Sequence, residues 1–504
     1  MSKRLFAVIF ILAAILRLVG VWSAQLWYDE NFTLILSRLS LAQMLAATAG
    51  DTHPLLYYLL VWPIGQLLKS PDAPVWLLRL PSLLFSLASV WLFWSIINHL
   101  CFHGNGGLRP DALNINRRVA VAALVLMVVM PIQIYYAQEA RMYALLEMLV
   151  LAGFLAVIQR RWLWFGVCGV LMLYTQNYGM YYWVALTLVA LIRNLPDRAT
   201  YKKVLLAAGL AGLAYLPWVN VLVGQMRNIQ GTYWMQMTDV GAPALTLFNM
   251  LFMMLSSNAV IQIPILLVGF AWLFGSLLLV IFGKHHRPAS AARTNYLLTV
   301  CIMAFLPLAL AVLTSAIWQP VLHYRPLIAS TPFLYLLMAE PVELLFDASG
   351  RFLCRRAIYA ACFILPVILI CDISIYAYSS YSKDDGSRLD LAYIQQHWQP
   401  GDVVLENSAQ SWVNMTPYAP DLPRYFIPQC SSENGRLSAA TSQVLGMQDA
   451  PSDLTYTRAW VIWLYSPLTR VAENCAQDLY HLSAPVQVTI DNEYIYYGLW
   501  LANK

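Results

Sequence analysis

Apolar residues run along this chain in blocks of about 20, separated by short polar turns. A helix of that length covers the hydrocarbon core of a bilayer, which is about 30 Å thick. The blocks fall near 5–24, 80–100, 119–136, 144–158, 162–176, 180–192, 204–223, 262–283, 296–317, 327–345 and 357–376. Two further stretches, 54–69 and 246–261, are apolar but shorter, and Pro63 and Gly65 interrupt the first. The expectation for 54–69 is a helix lying at the outer interface, where Tyr and Trp are at home. Beyond 376 the pattern changes. Residues 389–398 read as an amphipathic helix, 401–405 as a strand, and 460–465 and 486–501 as further strands. The predicted fold is therefore an all-α polytopic membrane body over 1–376, with about 11–13 transmembrane helices. Its first outer loop is 25–79, and a small C-terminal extracytoplasmic α/β domain follows over 377–504.

Composition agrees and excludes other classes. Hydrophobic residues make up 60% of the chain and charged residues 11%, against about 45–50% and 25% in soluble domains. A soluble enzyme, a disordered chain and a nucleic-acid binder resting on basic patches are all excluded. The formal net charge is +5, and the tail from 377 onward is its acidic part.

Basic residues fix the expected topology. Lys3/Arg4, Arg109/Arg117/Arg118, Arg160/Arg161, Arg193/Arg198/Lys202/Lys203, Lys284/Arg287/Arg293 and Arg351/Arg355/Arg356 form six clusters. All six fall on one side if the eleven blocks span, and Lys and Arg mark the cytoplasmic side. The N-terminus is then cytoplasmic and the tail periplasmic, across a cytoplasmic (inner) membrane. Arg17 interrupts the first block and no small-residue cleavage pattern follows, so this block reads as a retained span rather than a signal peptide.

The ionisable residues left on the outer side are few, and such groups near a membrane are costly to keep. The first outer loop carries Trp27-Tyr28-Asp29-Glu30, then Asp51-Thr52-His53-Pro54, then Tyr57-Tyr58, with Arg79 at the start of the next span. A second outer turn reads Gln138-Glu139-Ala140-Arg141-Met142-Tyr143, and a later one His323-Tyr324-Arg325-Pro326. Asp29 and Glu30 are open to two readings: a solvated acidic loop, or a general base for an acceptor hydroxyl or amine. Arg141 and Arg325 are either snorkelling or ion-paired residues, or forks for phosphate oxygens. His53 either orients Asp51, caps a helix, or joins Asp51 in holding a divalent ion, and the metal is the less favoured choice. No CxxC or HExxH spacing points to a metal centre. Cys430 and Cys475 are the tail's only cysteines; a disulfide between them would help a small domain in an oxidising compartment, and spacing alone leaves the pairing open.

Taken in order, Arg17, Leu26-Trp27-Tyr28-Asp29-Glu30, His53-Pro54 with Tyr57-Tyr58, Leu78-Arg79-Leu80-Pro81-Ser82 and Gln138–Tyr143 resemble the motifs of the GT-C glycosyltransferases. The nearest branch holds the protein O-mannosyltransferases and the bacterial lipid A aminoarabinose transferases. The motifs cover about residues 1–160; beyond them the resemblance rests on topology, the His323–Pro326 turn and the outer C-terminal domain. His53-Pro54-Leu55 stands where the family usually shows His-Pro-Pro.

The resemblance implies an inverting transfer of a sugar from a polyprenyl-phosphate donor lipid to an extracytoplasmic acceptor, whether lipid A, polysaccharide or protein, without a cofactor. It implies Asp29 as base with Glu30 in support, Arg141 and Arg325 on the donor phosphate, and a substrate site including Tyr28, Asp51, His53, Tyr57, Tyr58, Arg79, Gln138, Glu139 and Tyr143. A polytopic transporter or lipid-linked-sugar flippase is the competing class. Transporters place ionisable residues at mid-bilayer on broken helices, often in inverted repeats; here the charges gather at one face and no repeat is visible.

Overall fold

The computed structural model describes residues 2–22, 25–70, 73–102, 115–194, 197–232, 241–252, 259–282, 291–345, 387–428, 437–465, 487–492 and 495–503. Its helices are α1 (Lys3–Leu18), α2 (Tyr28–Arg38), α3 (Leu41–Gly50), α4 (Leu56–Leu67), α5 (Leu80–Phe102), α6 (Arg117–Val129), α7 (Pro131–Ala137), α8 (Tyr143–Ile158) and α9 (Trp162–Thr175). They continue with α10 (Gly179–Arg193), α11 (Arg198–Thr232), α12 (Ala242–Phe252), α13 (Ala259–Phe282), α14 (Ala291–Ile317), α15 (Thr331–Ala339), α16 (Ser387–His397), α17 (Ala409–Met415) and α18 (Ala439–Val444). The chain forms two compact units: Met1–Val19, Pro81–Pro217 and Met235–Ala377 make one, and Gly20–Leu80, Trp218–Trp234 and Tyr378–Lys504 the other. The division does not follow a linear boundary at 376, because the first outer loop belongs to the same unit as the tail.

Each predicted apolar block from 5–24 to 327–345 holds helix among its described residues, the first ending at Leu18, and block 357–376 lies outside the described residues. So do Arg109, Lys284, Arg287, Arg351, Arg355, Arg356, Cys430 and Cys475. The uniform spans expected from hydropathy are not what forms. Among the described residues, three helical stretches are long and apolar enough to cross a bilayer alone: Val75–Leu100, Arg198–Arg227 and Arg293–Ile317. Helices α6 and α7 qualify only together, as a pair bent by 49°. Helices α8, α9 and α10 have 14–16 residues, about 21–24 Å at 1.5 Å per residue. Block 327–345 is a 3-10 turn, Arg325–Ser330, followed by α15 and a second 3-10 turn. The chain is a multi-pass membrane protein with spans of unequal length. Exposed Leu205, Leu206, Leu210, Leu213 and Leu216 on α11 form an apolar face of the kind lipid covers.

The bend between α6 and α7 has a specific chemical cause. A residue before proline is driven to extended backbone, and Met130 has φ −70° and ψ 135°. Pro131 has no N–H, so the Met127 carbonyl loses its i+4 donor. Arg17, fully buried, replaces it: Nη2 donates to the Met127 carbonyl at 3.0 Å and Nη1 to the Val128 carbonyl at 3.1 Å. Its Nε donates to Ser86 Oγ at 2.9 Å, which ties α1 to α5 and α6. Nearby in sequence, Gln133 donates to Glu147 Oε1 at 2.6 Å and to Thr331 Oγ1 at 2.8 Å, joining α7 to α8 and α15.

In the other unit, Leu56–Leu67 is a 12-residue helix, too short to cross a bilayer by itself. It lies against α2 at Gly65, where a Cβ would come within 2.1 Å of Ser37 Oγ. The tail folds around a five-stranded sheet of β1 (Asp402–Glu406), β2 (Arg424–Phe426), β3 (Arg458–Tyr465), β4 (Gln487–Asn492) and β5 (Ile495–Asn503). The strand order is β2-β1-β3-β5-β4. Strand β1 pairs parallel with β2 and β3, and β5 pairs antiparallel with β3 and β4. Val404, Trp460, Ile462 and Leu499 of the sheet pack with Leu391, Ile394 and Met415 of the helices. The α/β expectation holds, with β2, a three-residue strand, added.

Replacing Arg17 with Met removes the donors to two buried carbonyls, each costing about 1–3 kcal/mol when left unsatisfied. The purified protein in detergent should melt several degrees lower, and Arg17→Lys, which cannot span three acceptors, should recover only part of the loss. An unchanged melting temperature for Arg17→Met would contradict this origin of the bend.

Candidate active site

In the unit that holds the first outer loop, α2 opens at Tyr28, with Asp29 and Glu30 in its first turn, where carboxylates suit the positive end of the helix dipole. Successive residues point about 100° apart around a helix, so the two acids meet different surroundings. Glu30 and Arg79 are fully buried. Arg79 Nε donates to Glu30 Oε1 at 2.7 Å and Nη2 to Oε2 at 2.6 Å. The same guanidinium donates to the Val21 and Gln25 carbonyls, both at 2.7 Å. Arg79 therefore pins the approach to α2. Asp29 is half-buried, and its carbonyl accepts from Thr33 Oγ1 at 2.9 Å.

Asp51 ends α3, and its Oδ2 lies 3.2 Å from His53 Nδ1, which is also 3.0 Å from Thr52 Oγ1. Gln225 on α11 donates to the Thr48 and His53 carbonyls at 3.0 and 3.4 Å, holding this turn from outside. Tyr57 and Tyr58 are fully buried on α4, their rings 6.4 Å apart and edge-on. Both are buried in the loop's interior, which their position beside His53-Pro54 did not indicate. Among the described residues no group of three His, Cys, Asp or Glu is arranged to hold a metal ion.

In the other unit, the turn from Gln138 to Tyr143 is buried throughout. Gln138 ends α7, and its Nε2 donates to the Leu16, Arg17 and Val19 carbonyls at 3.3, 3.1 and 2.7 Å. It closes the C-terminal end of α1, a structural task. Glu139 is 0% exposed and Arg141 3% exposed. The Arg141 N–H donates to the Glu139 carbonyl at 2.8 Å, and its own carbonyl accepts from Ser82 Oγ at 3.1 Å. The Tyr143 and Tyr136 rings meet edge-on at 4.9 Å. Tyr136 lies within electrostatic reach of Glu139, Tyr143, Tyr324 and Arg325. The structure thus brings together two turns 180 residues apart, each carrying one of the expected arginines.

Sequence reasoning did not single out Tyr178 or the fold of the His323 turn. The Tyr178 hydroxyl donates to the Val321 carbonyl and accepts from the His323 N–H. His323 Nδ1 accepts from the Arg325 N–H at 3.2 Å, and the imidazole stacks on Tyr324 at 4.7 Å. Tyr178 was findable as part of Gln176-Asn177-Tyr178-Gly179, a polar interruption between two apolar blocks. His323 is only partly exposed and closely surrounded by protein. Burial first, then the Arg325 charge, hold its pKa well below the ordinary 6.5.

The resemblance expected from the ordered motifs holds at the level of fold. Two crystal structures of ArnT from Cupriavidus metallidurans match nearly the whole chain. The apo form aligns with a TM-score of 0.59, and the form bound to undecaprenyl phosphate with 0.57. In both cases identity is 14%, and 99% of this chain and 98% of that chain are covered. The likeness is one of fold. No protein-family model matches the sequence, and no curated protein matches it significantly.

Cutting the buried ion pair on one side, as in Arg79→Ala, strands a carboxylate and should cost about 3–5 kcal/mol, read as a loss of folded protein after extraction; Arg79→Ala with Glu30→Gln should recover much of it. For His323, the unfolded imidazole binds a proton below about pH 6.5 that the folded one refuses, so stability falls as pH drops through that value. The melting temperature of His323→Gln should accordingly decline less between pH 7.5 and 5.5 than that of the unsubstituted protein; parallel declines would refute it.

Proposed function

We propose that the chain is an inverting glycosyltransferase that moves a sugar from a polyprenyl-phosphate donor to an acceptor at the outer face of the cytoplasmic membrane. The observation that carries the reading is the separation of the two adjacent acids. Arg79 consumes Glu30 in a buried pair, while Asp29 stands half-buried in the first turn of α2. A structural pair beside a second, differently placed carboxylate is what a site needs to keep one acid as a base. The match of fold to ArnT, solved with undecaprenyl phosphate, supports a polyprenyl-phosphate lipid as the partner.

In this reading the Asp29 carboxylate takes the proton from an acceptor hydroxyl or amine. The acceptor's lone pair attacks the anomeric carbon from the face opposite the phosphate, and the bond from that carbon to the phosphate oxygen breaks. The electron pair leaves on the phosphate, so charge grows there as the sugar inverts. Arg141 and Arg325 meet that charge, and preplaced guanidinium groups in a water-poor setting are far more effective than solvent. Lipid A, polysaccharide and protein hydroxyls are the candidate acceptors. The N-terminus is cytoplasmic and the 377–504 domain periplasmic.

The test is transfer in proteoliposomes from a polyprenyl-phosphate sugar, together with envelope glycan profiles of cells with and without the gene. Asp29→Asn should lower turnover by at least about 10²-fold, the scale of general base catalysis, with donor-lipid binding intact. Arg141→Ala should weaken donor binding roughly 10-fold or more, as the loss of a charge-assisted hydrogen bond requires. Near-normal turnover by Asp29→Asn, or an unchanged glycan profile beside substrate transport, would defeat the proposal.

A further inference from the structure

The helix that carries Asp29 is fastened to the C-terminal domain, within the unit that contains both. Asn31, two residues beyond Asp29, is 2% exposed. Its Nδ2 donates to the Leu26 carbonyl at 2.9 Å and to Asn414 Oδ1 at 3.2 Å, and its Oδ1 accepts from the Tyr418 hydroxyl at 3.1 Å. The Leu26 carbonyl can only accept, so the amide nitrogen must face it, and the orientation of the Asn31 side chain is set. One amide therefore joins three things: the strand of chain before α2, the first turn of α2, and the tail.

The other end of α2 is held in the same way. Arg38, its last residue, donates from Nε to the Leu68 carbonyl at 2.6 Å, from Nη2 to the Ser70 carbonyl at 3.3 Å and from Nη1 to the Pro417 carbonyl at 3.0 Å. Both tail contacts fall on one short segment, the end of α17 and the turn after it. That segment is rigid, because Met415 and Ala419 pack with Val404, Trp460 and Ile462, and Trp412 packs with Phe426 and Met447. The sheet of the domain thus backs a two-point grip on an 11-residue helix.

We propose that the C-terminal domain is a positioning element for the reacting carboxylate, with Asn414 and Tyr418 setting the first turn of α2, and hence Asp29, through Asn31. The proposal rests on the reading of Asp29 as the base. Asn414 and Tyr418 are positioning residues, because they act through Asn31. A displacement of a reacting group by about 1 Å can cost as much as 10²-fold in rate.

The test uses the full chain in nanodiscs with Tyr418→Phe, which deletes one oxygen, and Asn414→Leu, which deletes the acceptor. Amide hydrogen exchange is followed in the peptide covering 26–34, and kcat and KM are followed with a polyprenyl-phosphate sugar. Both variants should speed exchange in that peptide several-fold and lower kcat about 10-fold, with the KM for donor lipid held. Asn414→Asp keeps an acceptor oxygen and should restore both readouts. Should Asn414→Leu fail to fold, Tyr418→Phe carries the test. Unchanged exchange over 26–34 overturns the proposal whether or not the unsubstituted protein transfers sugar. Faster exchange with undiminished kcat overturns the link to Asp29. An unsubstituted protein that transfers no sugar defeats the reading of function, and the exchange rates then decide by themselves whether the grip exists.

Discussion

A guanidinium and a carboxylate that are both removed from solvent leave little freedom to their surroundings. Stripping two ions of water costs several kcal/mol each, and only close geometry with further hydrogen bonds offsets it. Arg79 and Glu30 meet that condition with two bonds between them and two more to the Val21 and Gln25 carbonyls. The chain before α2 must therefore follow one path, and α2 must begin at one rotation. That rotation is what separates Asp29 from Glu30. Two neighbouring acids of nearly equal chemistry acquire unequal surroundings because one of them completes a buried pair.

The membrane unit obeys the same rule with different groups. Where no water can serve, each backbone group freed by a break needs a donor from elsewhere. Pro131 breaks the ladder after α6, and Arg17 supplies what the proline cannot. Gln138 does as much for the last carbonyls of α1. Gln133, Glu147 and Thr331 form a short buried chain that fixes α7 against α8 and α15. Polar residues in this apolar body are thus mostly joinery. The turns that carry Arg141 and Arg325 depend on that joinery for their place.

Much of this was legible in the sequence, for identifiable reasons. Apolar blocks report helices because burial or lipid contact is a local property of each residue, and the strands of the tail showed through β-rich runs bounded by polar residues. Spans were over-regularised because hydropathy does not register a proline's missing donor at 131 or the switch to 3-10 geometry at Arg325–Ser330. The order of motifs pointed to Asp29 and Arg141. It pointed equally to Arg79, Gln138, Tyr57 and Tyr58, which the structure buries. Nothing local distinguishes an arginine for a phosphate from one for a glutamate 49 residues away. Asn31, Asn414 and Tyr418 were invisible for the same reason: each is an ordinary residue until the fold brings them together.

The grip on α2 also has a consequence for how the protein is made. Asn31 and Tyr418 are 387 residues apart, and at a synthesis rate of about 5–20 residues per second roughly 20–80 s separate their emergence from the ribosome. During that interval the membrane spans are being inserted while the first turn of α2 lacks its partner. The arrangement of α2 is therefore completed near the end of translation, once the tail has emerged and folded. A nascent chain stalled before that point would hold its motifs without holding them still.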